Sequence, residues 1–205
     1  MARVPPPARA VVVAAVLLAL LSGCSDAPQE GDYSGTILTD PYTAPDASLT
    51  DTDGQPYSLA ADTDGRLTLV FFGYTHCPDI CQVVMSSLAS ALTRLDDSLR
   101  DQVEVVFVTT DPTRDDEQVL REYLDRFDPT FVGLTGDLRT IVDAGLDLGV
   151  AVEKGEKLPS GGYEVTHGTQ VVGIDGSDRA PIVWTHGTSA ADFADDITLL
   201  LTGDA

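Results

Sequence analysis

The chain has 205 residues, 43% of them hydrophobic and 22% charged, enough apolar content to bury the core of one ordinary domain with short appendages. Its 33 acidic residues against 12 basic ones give a formal net charge of −21, which speaks against nucleic acid and against electrostatic docking on anionic lipid, since both are gripped through clustered Lys and Arg. Three cysteines are too few to staple a disulfide scaffold, so each one needs its own explanation.

The chain opens on a short basic stretch, Met1 to Arg9. Residues 10–21 follow and contain only Ala, Val and Leu, a run of 12 that is well short of the roughly 20 a spanning helix needs. Next comes Leu21-Ser-Gly-Cys24, which resembles the lipobox of bacterial lipoproteins. The resemblance implies an export signal over 1–23 and an acylated cysteine at Cys24. The chain is then expected on the extracytoplasmic face of the cell membrane, held by a lipid anchor. Residues 24–46 are polar, rich in Gly, Pro, Asp and Thr and without periodicity, so they are expected to act as a flexible tether. The domain is expected over 47–205.

Within that domain, Asp51-Thr-Asp-Gly54 reads as a turn between two short extended pieces. Leu67 to Phe72 is a nearly continuous run of β-formers, as in a strand covered on both faces. From Pro78 to about Asp97, Val84, Leu88, Ala91, Leu92 and Leu95 recur at spacings of three and four, which predicts an amphipathic helix. Val103–Thr109 is a second buried strand, Asp116–Phe127 a second helix, Thr130–Leu134 a short strand and Leu138–Leu146 a third helix. Val150–Glu153 reads as a strand and 154–162 as a loop. Glu164–Thr166 and Gln170–Ile174 read as strands flanking His167-Gly168. After Ile182–Thr185, Thr188 is placed to cap a last helix reaching about Leu201. Early alternation and a late hairpin predict an α/β sandwich around a mixed sheet.

The chemistry-bearing segment is Gly73-Tyr-Thr-His-Cys-Pro-Asp-Ile-Cys81 at the end of the first buried strand. With Pro78 as the first helical residue, Cys77 is expected at the N-cap and Cys81 four residues on, both sulfurs on one face of the first turn. The positive end of the helix dipole favours thiolate there. Two thiolates so placed make either a redox couple or a clamp for a soft metal. A purely structural disulfide over one turn closes too small a loop to stabilise much. Spacing alone does not choose a further ligand among His76, His167 and His186. His76 and His186 read as exposed loop residues. Asp79 reads as a first-turn acid and Asp111 as a turn-former before Pro112, each also a candidate outer partner of the sulfurs. Trp184 reads as core.

Val70-Phe-Phe-Gly-Tyr-Thr-His-Cys-Pro-Asp-Ile-Cys81, Thr109-Thr-Asp-Pro-Thr-Arg-Asp115, Glu122 to Pro129 and Phe131-Val-Gly-Leu-Thr-Gly136 together resemble the Sco (SenC) family over about 47–201. That resemblance implies a thioredoxin-like fold, a mixed central sheet flanked by helices with a late β-hairpin insertion. It also implies one copper per chain, Cu(I) or Cu(II), held by Cys77, Cys81 and His167. The implied role is a metallochaperone that delivers copper to the dinuclear site of cytochrome c oxidase subunit II, with another extracytoplasmic copper chaperone or a thiol reductase as further partner. A thiol–disulfide oxidoreductase acting on the client's cysteines through Cys77 and Cys81, and a copper or redox sensor, are the alternatives. The chain departs from the family pattern at Gln82, where proline is usual, and in the residues on either side of His167. The donor set is chemically coherent, because two thiolates and an imidazole form a soft, low-coordinate site.

Overall fold

The computed structural model describes residues 33–63, 67–157 and 163–203, with the side chains of 153–157 and 163–167 left out. The organising feature is the pair of strands whose sequences are apolar at nearly every position. Strand β4 (Leu67–Gly73) is buried along its whole length and runs parallel to β5 (Val103–Thr109). Alternation sends Leu69, Phe71, Val105 and Phe107 to one face, and Val70, Phe72, Val106 and Val108 to the other.

The first face packs on helix α1 (Ile80–Leu92), on α3 (Glu117–Leu124) through Leu120, Tyr123 and Leu124, and on α5 (Ala190–Thr202) through Phe193 and Ile197. The second packs on α4 (Leu138–Asp147) through Ile141 and on Leu59, Leu134, Leu148 and Val150. A short helix α2 (Asp97–Arg100) lies between α1 and β5.

The remaining strands are β1 (Thr36–Thr43), β2 (Leu49–Asp51), β3 (Pro56–Tyr57), β6 (Val132–Thr135), β7 (Val152–Lys157), β8 (Tyr163–His167), β9 (Val171–Ile174) and β10 (Arg179–Trp184). Eight of the ten strands, β4 and β5 among them, form one mixed sheet in the order β1-β10-β9-β4-β5-β6-β2-β3, while β7 and β8 form a separate two-stranded ribbon. This is the expected mixed sheet flanked by helices, with the late hairpin set apart from it.

Many acidic residues serve as caps. Asp96, Asp116 and Asp137 accept from backbone N–H groups in the first turns of α2, α3 and α4. α5 begins with a reciprocal capping box between Ser189 and Asp192, so the cap is Ser189 rather than the expected Thr188. α4 stops where Gly149 takes φ +69° directly over the Tyr42 ring, a conformation and a closeness that other residues tolerate poorly.

Three further expectations are corrected. The tether does not extend to 46, because residues 36–43 form β1, hydrogen-bonded along β10 with a register shift between Ile37 and Tyr42. The strand expected at 150–153 runs instead from Val152 to Lys157. His167 does not sit in a turn between paired strands: it ends β8, which pairs with β7, and Val152 is its partner.

Candidate metal centre

β4 delivers the chain to the site. Beyond Gly73 the backbone turns, and Cys77 N–H donates to the Tyr74 carbonyl at 3.1 Å. The helix then begins later than expected. Its N-cap is Asp79, with no side-chain capping bond, and Ile80 is the first helical residue. Cys81 therefore lies in the first turn, while Cys77 stands just outside the helix, in front of its unpaired amides.

Both cysteines are free thiols. Cys77 keeps 8% of its surface exposed and Cys81 none. Cys81 is wedged against Gly73, where an added Cβ would sit 3.0 Å from Sγ and 2.9 Å from the Phe107 ring. Only glycine lets the end of β4 pass this close to the sulfur.

The two thiols are inequivalent. Burial pushes Cys77 up, but the backbone N–H groups of Asp79, Cys81 and Ile80 and the Cys81 thiol outweigh it and hold Cys77 below the ordinary thiol value. Burial and the bond to Cys77 push Cys81 well above it. The balance favours thiolate at Cys77 and the protonated thiol at Cys81.

Two phenols border the pair. Burial, then the charges at Cys77 and Cys81, push Tyr74 up, and Tyr74 also hydrogen-bonds Cys77. Burial and the same charges push Tyr123 up, and its buried hydroxyl has no hydrogen-bond partner among the described residues.

Beneath the turn lies a carboxylate that the sequence reading did not single out. Asp115 is fully buried and accepts from Thr75 N–H at 2.9 Å, Thr75 Oγ1 at 2.6 Å and Thr109 Oγ1 at 2.7 Å. The parallel pairing of β4 with β5 puts it there, since both strands end at the same edge. The only sequence signal was its place in the Thr109–Asp115 block. Asp111, one of the two candidate outer partners, forms an ion pair with Arg114. Asp79 is exposed at the helix start. Gln82 is exposed on the outer side of α1, beside a shallow uncharged groove lined by Val83, Ser86 and Ala190.

The three histidines share this end of the sheet. His76 adjoins Cys77 and is exposed, its Nδ1 2.9 Å from Thr75 Oγ1. His186 is exposed after β10, its Nδ1 3.2 Å from Thr169 Oγ1. The His167 side chain lies outside the described residues. Its backbone ends β8, four residues before Val171, which pairs with Phe71 of β4. Gly168 N–H donates to the Ala151 carbonyl and Gln170 Nε2 to the Gly149 carbonyl, so the root of the ribbon is fixed at two points. Among the described residues no third His, Cys, Asp or Glu joins the two sulfurs as a metal-holding group. Cys24 also lies outside the described residues. Trp184 is core as expected, its Nε1 donating to Asp196 at 2.6 Å.

Two neighbouring, reduced sulfurs suit a soft, thiophilic ion. Comparison with known proteins bears on this chemistry. The family model described as SCO1/SenC matches residues 38–202. A Stutzerimonas stutzeri protein named for copper binding is 32% identical over 177 residues, covering 85% of this chain and 86% of its own. The mitochondrial SCO2 protein of Saccharomyces cerevisiae is 34% identical over 57% of this chain, which spans 37% of that protein's length. Among solved structures, apo Sco1 of Thermus thermophilus superposes with a TM-score of 0.73 at 29% identity, over 82% of this chain and 96% of that one. Copper-bound ScoI of Bradyrhizobium japonicum does so with 0.68 at 29%, over 76% and 98%.

Proposed function

This chain belongs to the SCO1/SenC family, and from that premise we propose that it carries one copper ion on Cys77, Cys81 and His167 and serves cytochrome c oxidase assembly by handing the ion to the dinuclear copper site of subunit II. The observation that carries the reading is the free, adjacent pair Cys77 and Cys81 at the turn into α1. The copper in ScoI of Bradyrhizobium japonicum supports the choice of metal.

Copper is the cargo, and the residues around it do the work. Of the two sulfurs, Cys77 meets the ion first, being the less buried and the one biased to thiolate. Cys81 must give up its proton to join, so loading releases protons. His167 completes a three-donor set, and a low-coordinate site of this kind exchanges ligands with a client that offers sulfur and imidazole of its own. Cys24 carries a lipid that holds the domain at the extracytoplasmic membrane face, where oxidation of the pair to a disulfide blocks loading.

A second reading rests on the inequivalence of the thiols. A low thiol that keeps a little exposure, backed by a high and fully buried one, is the arrangement of a disulfide-exchange enzyme, with Cys77 attacking and Cys81 resolving. The two are separated by competition of the reduced protein with a Cu(I) chelator. The copper reading predicts one ion per chain, lost with Cys77→Ala and weakened in His167→Ala. Zero stoichiometry, or a His167→Ala variant that binds as tightly as wild type and still turns over a disulfide substrate, supports the exchange enzyme instead.

A further inference from the structure

Cys81 is fully enclosed and Cys77 nearly so, which leaves open how an ion held by a bulky donor reaches sulfur at all. The turn that ends in Cys77 supplies an answer. The bond from Cys77 N–H to the Tyr74 carbonyl places Thr75 and His76 at its two corners. The His76 side chain is 60% exposed, one residue before Cys77 in the chain.

Hydrogen bonding fixes which ring nitrogen is available. Thr109 Oγ1 accepts from Asp111 N–H at 3.0 Å, so its own hydrogen goes to Asp115. Thr75 Oγ1 spends its single hydrogen on Asp115 Oδ1. The 2.9 Å contact between Thr75 Oγ1 and His76 Nδ1 is then a bond in which Nδ1–H donates. In the neutral ring the lone pair is left on Nε2, at the opposite edge. A carboxylate acting on an imidazole to fix its tautomer is the device by which metal-binding histidines are oriented. Here a threonine hydroxyl relays it. Asp115 is itself held, its N–H donating to the Asp111 carbonyl and its carbonyl accepting from Thr135 Oγ1.

We propose that His76 is the arrival ligand for copper: Nε2 takes the ion from its donor and passes it to Cys77, with Asp115 and Thr75 as positioning residues that keep Nε2 free. This rests on the copper reading above. Copper keeps its oxidation state throughout. One donor ligand leaves as Nε2 binds, and Nε2 leaves as the Cys77 sulfur binds, any thiol proton passing to water.

The test pairs a metal-free readout with a kinetic one. Nitrogen-15 NMR of the metal-free protein should show His76 as the Nδ1–H tautomer in wild type and a mixture in Thr75→Val and Asp115→Asn. In stopped-flow transfer from Cu(I)–bicinchoninate, His76→Ala should slow uptake about tenfold or more, a larger factor than any loss of equilibrium affinity. His186→Ala, which removes the other exposed imidazole, should keep the wild-type rate. An Nε2–H ring in wild type, a wild-type rate in His76→Ala, or equal slowing in His186→Ala overturns the proposal while leaving the copper reading intact. A wild-type protein that takes up no copper overturns both.

Discussion

Cys81 Sγ and Gly73 are in contact so close that a Cβ on residue 73 would stand 3.0 Å from the sulfur, and the same Cβ would meet the Phe71 and Phe107 rings at 3.0 and 2.9 Å. The buried sheet thus holds the inner sulfur directly. Gly73→Ala should cost about 1–3 kcal/mol of unfolding free energy, the usual range for overpacking. It should also weaken Cu(I) binding by displacing Cys81. Urea unfolding and chelator competition on the same variant measure the two effects. A variant as stable as wild type would mean that the strand end yields freely.

The inequivalence of the thiols gives a reactivity profile. Iodoacetamide should label Cys77 before Cys81. The pH profile of that labelling should lie below that of an ordinary thiol, because helix-start amides and the Cys81 thiol favour the Cys77 thiolate over its acid. Cys81→Ala removes one of those donors and should move the profile upward. Peptide mass spectrometry after timed alkylation resolves the two sites. First labelling at Cys81 would reverse the assignment.

Copper affinity should rise with pH. Cys81 is pushed well above the ordinary thiol value, so it enters the site protonated across the working range and must release that proton on loading. Where Cys77 is already thiolate, one proton leaves per ion, and apparent Cu(I) affinity should increase about tenfold per pH unit. Below the Cys77 value the slope should steepen toward two protons. Chelator competition across pH reads the slope directly, and a flat profile would contradict the assignment of the buried proton.

Away from the site, Asp196 ties the start of the described chain to the last helix. Its carboxylate accepts from Ser34 N–H at 2.9 Å, Gly35 N–H at 2.8 Å and Trp184 Nε1 at 2.6 Å. Asp196→Ala strands these donors and should cost about 3 kcal/mol, with a lower urea midpoint followed by Trp184 fluorescence. An unchanged midpoint would show that water satisfies them.

The elements that were legible in the sequence are those whose pattern has a single physical reading. β4 and β5 were read almost to the residue, because only a strand covered on both faces needs such uninterrupted apolar runs. β1 was missed for the opposite reason. It is an edge strand carrying Asp40 and Pro41, bulged near the proline, with no buried residue to mark it. The start of α1 was misplaced because Pro78 suits a first helical position, whereas the Tyr74–Cys77 turn holds Cys77 outside the helix and delays it to Ile80. At the site, Cys77 and Cys81 declared themselves by local spacing. Asp115 did not, since its partner Thr75 is 40 residues away and only the parallel pairing of β4 and β5 joins them. His167 came from family resemblance alone, and nothing local to it announces a ligand.

The most direct measurement of the central claim is X-ray absorption at the copper edge on protein loaded with one equivalent of Cu(I). The account predicts a first shell of two sulfurs and one imidazole nitrogen, reduced to the two sulfurs alone or rebuilt with an exogenous donor in His167→Ala. A shell without sulfur, or one identical in wild type and His167→Ala, would contradict it.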